Sequence, residues 1–315
     1  MDLLPLSKEQ QRLVLQQQMD HESVFFSNLL SFTEARSTMD NLFIKNCPER
    51  RLEEIRNIKT DLVQPGSWKL DGAHNANELY KDAASAKEKM DGIVGGVVEA
   101  MQREGKGVSF VAVRLKDMEE NGEPKVGEVG SNYEGMLYPR VREKMDTKYA
   151  EGHPESTGAA LVQDIVRMSI MCANEEEALE VLRKIQEHSE LRIARLKNMF
   201  LPRALDAPHF RRLMLNVGPV LSNGEVFIGE CQIHIREIFE FKQTRGDLMH
   251  GPYEYFRSLY SDSEVAKFMR TLDLFDEVVA NPLLFAMLIV VVESITDANG
   301  DLVGALPSTT AQLYT

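Results

Sequence analysis

The stretch GECQIHIRE, residues 229–237, closes the longer run VFIGECQIHI (226–235) and decides how the chain folds. Alternate residues of an extended strand share a face. Glu230, Gln232 and His234 therefore point one way, and Cys231, Ile233 and Ile235 the other. Such a strand fits two situations. One is an antiparallel sheet whose polar face is solvated. The other is a site floor on which Glu230 holds a divalent cation. A Mg²⁺ site needs more than one carboxylate or a carboxylate with substrate phosphates. Asp164, opening DIVRMSIMC (164–172), is the candidate partner, although a carboxylate there also fits a strand-terminal cap.

Working outward, RRLMLNVGPV (211–220) places Leu213, Leu215 and Val217 on one face and leads into a Ser-Asn-Gly turn at 222–224. A glycine in that turn tolerates positive φ, so the two runs read as a hairpin. LRIARLKNMF (191–200) reads as another strand. NEEEALEVLRKIQEH (174–188) reads as a helix with three glutamates in its first turn and Lys184 near its end, the polarity a helix dipole favours. REIFEFKQ closes the series. Strand, helix, three strands and helix predict an α+β fold: a mixed, mainly antiparallel sheet flanked by helices, with helical N- and C-terminal extensions.

Upstream, LSKEQQRLVLQQQ begins with Ser7 and Gln10 in a capping-box arrangement, and PERRLEEIRNIKTDL carries Leu52, Ile55, Ile58 and Leu62 at helical spacing. A long amphipathic helix ends at Gly105, with GIVGG (92–96) as a close packing point within it. VSFVAVRL (108–115) reads as a strand, and the polar, glycine-rich run after it as an insertion loop or flap. LYPRVREKMDTKYAEG then brings Arg140, Arg142, Lys144 and Lys148 onto a helix. The expected organisation is a helical region over 1–65, a domain over 70–260 with its core at 157–242, and a helical segment over 261–315.

The 315 residues are 43% hydrophobic and 27% charged, with a net charge of -13. A phosphate-tracking surface for DNA or RNA needs positive excess, so only a small local anion site is compatible. The apolar run LLFAMLIVVV (283–292) is too short to span a bilayer. Three cysteines without metal-ligand spacing, and no basic start before an apolar run, read as a cytoplasmic protein with reduced thiols.

GECQIHIRE is similar to the glutamate-x-glutamine-isoleucine strand of RelA/SpoT-like synthetases, and it follows a hairpin as in that family. QDIVRMSI (163–170) resembles the family's aspartate-opened strand, RLKNMF its basic Arg-x-Lys strand, and HFRRLMLNV (209–217) its glycine-tyrosine strand. NELYKDAASAKEKMDGIV resembles the preceding helix, so the likeness covers about 150 residues in matching order. It implies a nucleotidyltransferase-like domain that moves a pyrophosphoryl group from ATP to the 3′-hydroxyl of a guanine nucleotide. By the same likeness Asp164 and Glu230 would bind Mg²⁺ and carry catalysis. Arg140, Arg142, Lys144, Lys148, Arg167, Arg195 and Lys197 would neutralise phosphates, with Gln232 beside them and Phe210 stacked on the acceptor base. Such transfer rests on positioning and positive charge.

The sequence departs from that pattern at four places. His209-Phe210 stands for glycine-tyrosine, Met214 for a histidine, His234 for an arginine and Asp206 for a lysine. Each charge-assisted hydrogen bond contributes about 1.5–3 kcal/mol, so these losses weaken phosphate binding. A second expectation is therefore a nucleotide-sensing or protein-docking module on the same fold. NPLLFAMLIVVVE and LPSTTAQLYT resemble the helical segment that follows the core of NACHT-type NTPases, although no P-loop sequence occurs in the chain.

Overall fold

The computed structural model describes residues 8–60, 64, 76–127, 132, 134–149, 158–201, 209–222, 224–246, 248, 251, 252 and 255. The expectations for Ser7, for 61–63 and 65–75, for Asp206 and for nearly all of 247–315, including the NACHT-like segment, fall outside these residues. The chain divides into two compact units, one of residues 35–205 and 209–246, the other of 1–34, 206–208 and 247–315. The second contains the first part of helix α1 (Lys8–Asn46). Everything below concerns the first unit.

Its elements in chain order are the last turns of α1, β1 (Ile58–Lys59), α2 (Ala76–Arg103), β2 (Ser109–Leu115), α3 (Pro139–Glu143), β3 (Val166–Cys172), α4 (Glu175–Glu187), β4 (Leu191–Asn198), β5 (Leu213–Pro219), β6 (Gly229–Ile235) and α5 (Arg236–Thr244). The strands form one sheet in the order β1-β4-β5-β6-β3-β2. All neighbours run antiparallel except β3 and β6, which are parallel. This is the expected α+β fold with a mixed, mainly antiparallel sheet flanked by helices.

Glycine makes two close approaches possible. A Cβ on Gly229 would lie 2.8 Å from the Val166 carbonyl oxygen, where β6 meets β3. A Cβ on Gly218 would collide with the Phe227 carbonyl. The glycines of GIVGG behave differently from expectation: nothing lies within 4 Å of a Cβ built on Gly92, Gly95 or Gly96. They are not packing points among the described residues.

One sheet face is apolar. Leu196, Leu215, Cys231 and Met168 are aligned across four strands and all are buried. Helix α2 covers the sheet with Leu79, Ala83, Ala86, Met90, Val94, Val98 and Met101, all buried at three- and four-residue spacing. Helix α4 adds Ala178, Val181, Leu182 and Ile185, and Asn174 caps it by accepting from the Glu177 N–H at 3.0 Å. Its first-turn glutamates do more than meet the helix dipole. Glu177 accepts from the Gly107 and Ala173 backbone N–H groups at 2.7 and 2.8 Å. Glu175 accepts from those of Glu49 and Arg51 at 3.2 and 3.1 Å.

The helix expected over PERRLEEIRNIKTDL is replaced by a single 3-10 turn, Arg51–Glu54, and by strand β1. Asn198 explains the outcome. Its side-chain amide donates to the carbonyls of Leu52 and Ile55, drawing that backbone out along β4. Leu52 is fully buried at the turn. Tertiary contacts here override helical spacing.

His234 also departs from expectation. It lies on the same strand side as Glu230 and Gln232, yet it is 1% exposed, packed between Phe210 and Phe239 at ring separations of 5.3 and 4.9 Å. Neither ring nitrogen has a hydrogen-bond partner among the described residues. Burial, with Arg212 and Lys242 nearby, holds its pKa well below the ordinary histidine value. The folded chain therefore keeps His234 neutral where the unfolded chain protonates it, so stability is lost as pH falls below about 6.5. Urea unfolding at pH 7 and pH 5 should show a drop of up to ~1.4 kcal/mol per pH unit attributable to this residue, and His234→Leu should remove that part of the slope.

Candidate functional site

The opposite sheet face is polar in a continuous row. Strand register aligns Lys59, Arg195, Asn216, Glu230, Arg167 and Arg114 from edge to edge. The next row holds Lys197, Met214, Gln232 and Ser169. Residues opposite one another across a ladder share a face, so these side chains rise from one side of the sheet. At its centre, Glu230 Oε1 accepts from Arg167 at 3.3 Å and from Gln232 Nε2 at 2.6 Å.

Asp164 stands two residues before β3. Its Oδ2 accepts from both Lys116 Nζ at 2.6 Å and Lys144 Nζ at 2.7 Å. Burial alone would raise the Asp164 pKa, but the two ammonium groups outweigh it and hold the carboxyl at about 2. Lys116 comes from the end of β2. Lys144 opens a π-helical turn, Lys144–Lys148, that continues α3. Such turns are rare and concentrate at functional sites.

Tyr149 ends that turn, its N–H donating to the Lys144 carbonyl at 3.1 Å. Burial raises its phenol pKa, and the charges of Lys144, Asp164, Arg195 and Glu230 all act on it. One half-buried side chain thus senses four site residues from four segments. Among the described residues, the polar rows and the triad bring Lys59, Arg114, Lys116, Lys144, Arg167, Arg195 and Lys197 together with the carboxylates of Asp164 and Glu230. The triad of Lys116, Lys144 and Asp164 alone carries one surplus positive charge, which suits a phosphate.

Neither a family model nor a curated protein matches the chain. Among solved structures it is similar to several, including the three that follow. The small alarmone synthetase 1 of Bacillus subtilis, bound to its product pppGpp, is 15% identical with a TM-score of 0.38, over 62% of this chain and 97% of that one. A GTP pyrophosphokinase family protein from Streptococcus pneumoniae is 13% identical with a TM-score of 0.41, over 68% and 97%. The small alarmone synthetase 2 of Bacillus subtilis is 16% identical with a TM-score of 0.39, over 64% and 93%.

The remaining expected residues divide. Arg140 is exposed and pairs with Glu143 at 3.2 Å, and Arg142 donates to the Leu137 carbonyl at 3.0 Å. Neither joins the Asp164 triad, and the Lys148 side chain lies outside the described residues. Phe210, expected to stack on an acceptor base, is 2% exposed, with Arg212 over its ring at 4.6 Å and Lys242 at 3.9 Å. His209, standing where the resemblance places glycine, has φ 53°. It keeps the left-handed backbone that glycine adopts freely. Asp40 holds its Nδ1 at 2.9 Å and Arg36 its Nε2 at 2.6 Å.

No group of three or more His, Cys, Asp or Glu side chains suited to a metal occurs among the described residues. An ion held by protein ligands alone therefore does not fit. A Mg²⁺ carried by nucleotide phosphates does, because Asp164 Oδ1 and Glu230 Oε2 accept no hydrogen bond from a described residue. Lys116 and Tyr149 were not foreseen: Lys116 follows the strand expected over 108–115, and Tyr149 lies in the run read as a helix.

Removing the Asp164 charge leaves two partly buried ammonium groups facing each other. Asp164→Asn should lower stability by on the order of 2 kcal/mol in urea unfolding at pH 7. Adding Lys116→Met to that variant should recover part of the loss. Equal stability of the native chain and Asp164→Asn would show that the triad is not formed in solution.

Proposed function

We propose that the polar sheet face binds purine nucleotides by their phosphates, as a RelA/SpoT-like nucleotidyltransferase domain that transfers pyrophosphate from ATP to the 3′-hydroxyl of a guanine nucleotide. The observation that carries this reading is the local charge. Among the described residues, cations outnumber the carboxylates of Asp164 and Glu230 on and beside one sheet face of a chain whose net charge is -13. A small, fixed positive site in an acidic protein selects compact anions and rejects extended polyanions.

In the proposed reaction the 3′-hydroxyl oxygen attacks the β-phosphorus of ATP. The bond from that phosphorus to the oxygen bridging the α-phosphate breaks, and AMP leaves. The charge that spreads over the transferred group needs fixed donors in place beforehand. Lys116 and Lys144 would supply them from one side, and Arg195, Lys197 and Arg167 from the sheet. Glu230, held by Arg167 and Gln232, would receive the hydroxyl proton on its free oxygen. Mg²⁺ arriving with ATP would be held by Asp164 and Glu230 and would neutralise phosphate charge. The Tyr149 phenol stays protonated and would donate to a phosphate oxygen.

A second reading, a nucleotide-binding module without transfer, draws on Phe210. The aromatic side chain that the resemblance assigns to the acceptor base is packed in the core, which removes one acceptor contact.

Purified protein with labelled ATP, Mg²⁺ and GDP, GTP, ADP or AMP separates these readings. A labelled product that falls on the order of 10²-fold or more in Glu230→Gln supports transfer. Nucleotide binding without product supports the module. Absence of both binding and product rejects the nucleotide site altogether. With an active protein, Tyr149→Phe should reduce the transfer rate about ten-fold at unchanged ATP affinity, because a lost donor to developing charge acts on the transition state.

A further inference from the structure

The loop between β2 and α3 has fixed ends. Asp117 and Tyr138, its second and last residues, both have left-handed backbone at φ 57° and 58°. Non-glycine residues hold that conformation at a cost of about 1 kcal/mol or more, and such strain collects at functional positions. Both ends are anchored. Asp117 is 8% exposed, and its Oδ2 accepts from the Val141 N–H at 2.8 Å. The Tyr138 ring stacks on Tyr80 at 4.0 Å, and the Tyr80 hydroxyl donates to the Lys116 carbonyl at 2.5 Å.

Between these ends the chain forms a short ribbon. Val126 bridges Leu137, and Gly127 N–H donates to the Met136 carbonyl at 3.0 Å. Bridged residues share a ribbon face, so Val126 and Leu137 make one apolar patch. They are 59% and 44% exposed. Backbone links tie the patch to the segments that carry the cationic site. Lys125, next to Val126, donates its N–H to the carbonyl of Asp117, the residue after Lys116. Leu137 accepts from the Arg142 side chain, two residues before Lys144. From Val126 to Lys116 along these links is at most ~13 Å between Cα atoms, a distance a mononucleotide spans.

We propose that Val126 and Leu137 are the surface against which the purine base of a nucleotide packs while its phosphates lie on Lys116 and Lys144. This deepens the nucleotide reading above and rests on it. Phe210 cannot play that part, because Arg212, Lys242 and His234 cover it. A base leaves an apolar plane exposed once its phosphates are bound, and an apolar wall beside convergent polar groups is the usual composition of a ligand site. The ribbon's strained, anchored ends hold that wall in one place, so little ordering is required on binding.

Calorimetric titration of the full chain with ATP, GTP and inorganic tripolyphosphate tests the assignment. In Val126→Ser/Leu137→Ser, ATP or GTP affinity should fall about ten-fold, with tripolyphosphate affinity within about two-fold of the native chain. Leu137→Met, which keeps the apolar area, should bind nucleotides like the native chain. Both patch residues are exposed, so circular dichroism should report an unchanged fold. Unchanged nucleotide affinity in the double variant overturns the base-packing proposal and leaves the phosphate site standing, as does equal loss of nucleotide and tripolyphosphate. Tripolyphosphate and nucleotides both failing to bind the native chain overturns this proposal and the nucleotide reading together.

Discussion

Strand β6 lies parallel to β3 and antiparallel to β5, and that double pairing sets the rest of the domain. A parallel neighbour must arrive by a crossover, and here the chain between β3 and β6 passes through α4, β4 and β5 before returning. The return is tight. Gly229 leaves no room for a Cβ beside the Val166 carbonyl, so the register that puts Arg167 opposite Glu230 is fixed at the first residue of the strand. A slip of one residue would turn Glu230 towards the apolar face and Cys231 away from it. The same register aligns Leu215 with Cys231 and Asn216 with Glu230, so the apolar layer and the polar row are two consequences of one pairing.

Charge is partitioned by this architecture. The chain is acidic overall, yet its carboxylates are spent unevenly. Glu175 and Glu177 are buried and satisfy backbone N–H groups at the start of α4. Glu237 engages Lys45 and Asn46 at the other end of the sheet. Among the described residues, the cations of the polar face outnumber its acids. Two lysines on one Asp164 oxygen are an over-supplied arrangement. Burial lowers the Lys116 pKa, whereas Asp164 more than offsets burial at Lys144 and raises it. An incoming phosphate would relieve the repulsion between those ammonium groups without any rearrangement of the sheet.

The strand pattern was legible because alternation and turn chemistry act locally. β3, β4, β5, β6 and α4 fall where period-two and period-3.6 patterns place them, and the polar triplet of β6 located Glu230 and Gln232. What failed depended on distant partners. Ile55 and Ile58 have helical spacing, but Asn198, some 140 residues away in sequence, takes the backbone carbonyls that a helix would use. His234 has a polar side chain on a polar face, but Phe210 and Phe239 close over it. The glycines at 92, 95 and 96 suggested close packing, and no neighbour approaches them. Lys116 and Tyr149 carry no local signal at all. Their place follows from the loop ends at Asp117 and Tyr138 and from a π-helical turn, neither of which a residue pattern announces.

Residues 209 and 210 show why likeness of pattern and likeness of site must be kept apart. A histidine at left-handed φ is strained, and here Asp40 and Arg36 grip both ring nitrogens while Arg211 gives Asp40 two further contacts at 3.0 and 2.7 Å. The backbone path of a glycine is therefore preserved by side-chain bonds to helix α1 instead of by the absence of a side chain. Anchoring His209 in this way commits the next residue as well. Phe210 turns into the core beside His234, and Arg212 and Lys242 settle over its ring, each contact contributing about 0.5–2 kcal/mol. To free Phe210 for a ligand, those contacts and the packing of α5 would have to be given up together. Phe210 has the aromatic type that the resemblance implies but is 2% exposed, whereas Val126 and Leu137 present apolar side chains to solvent.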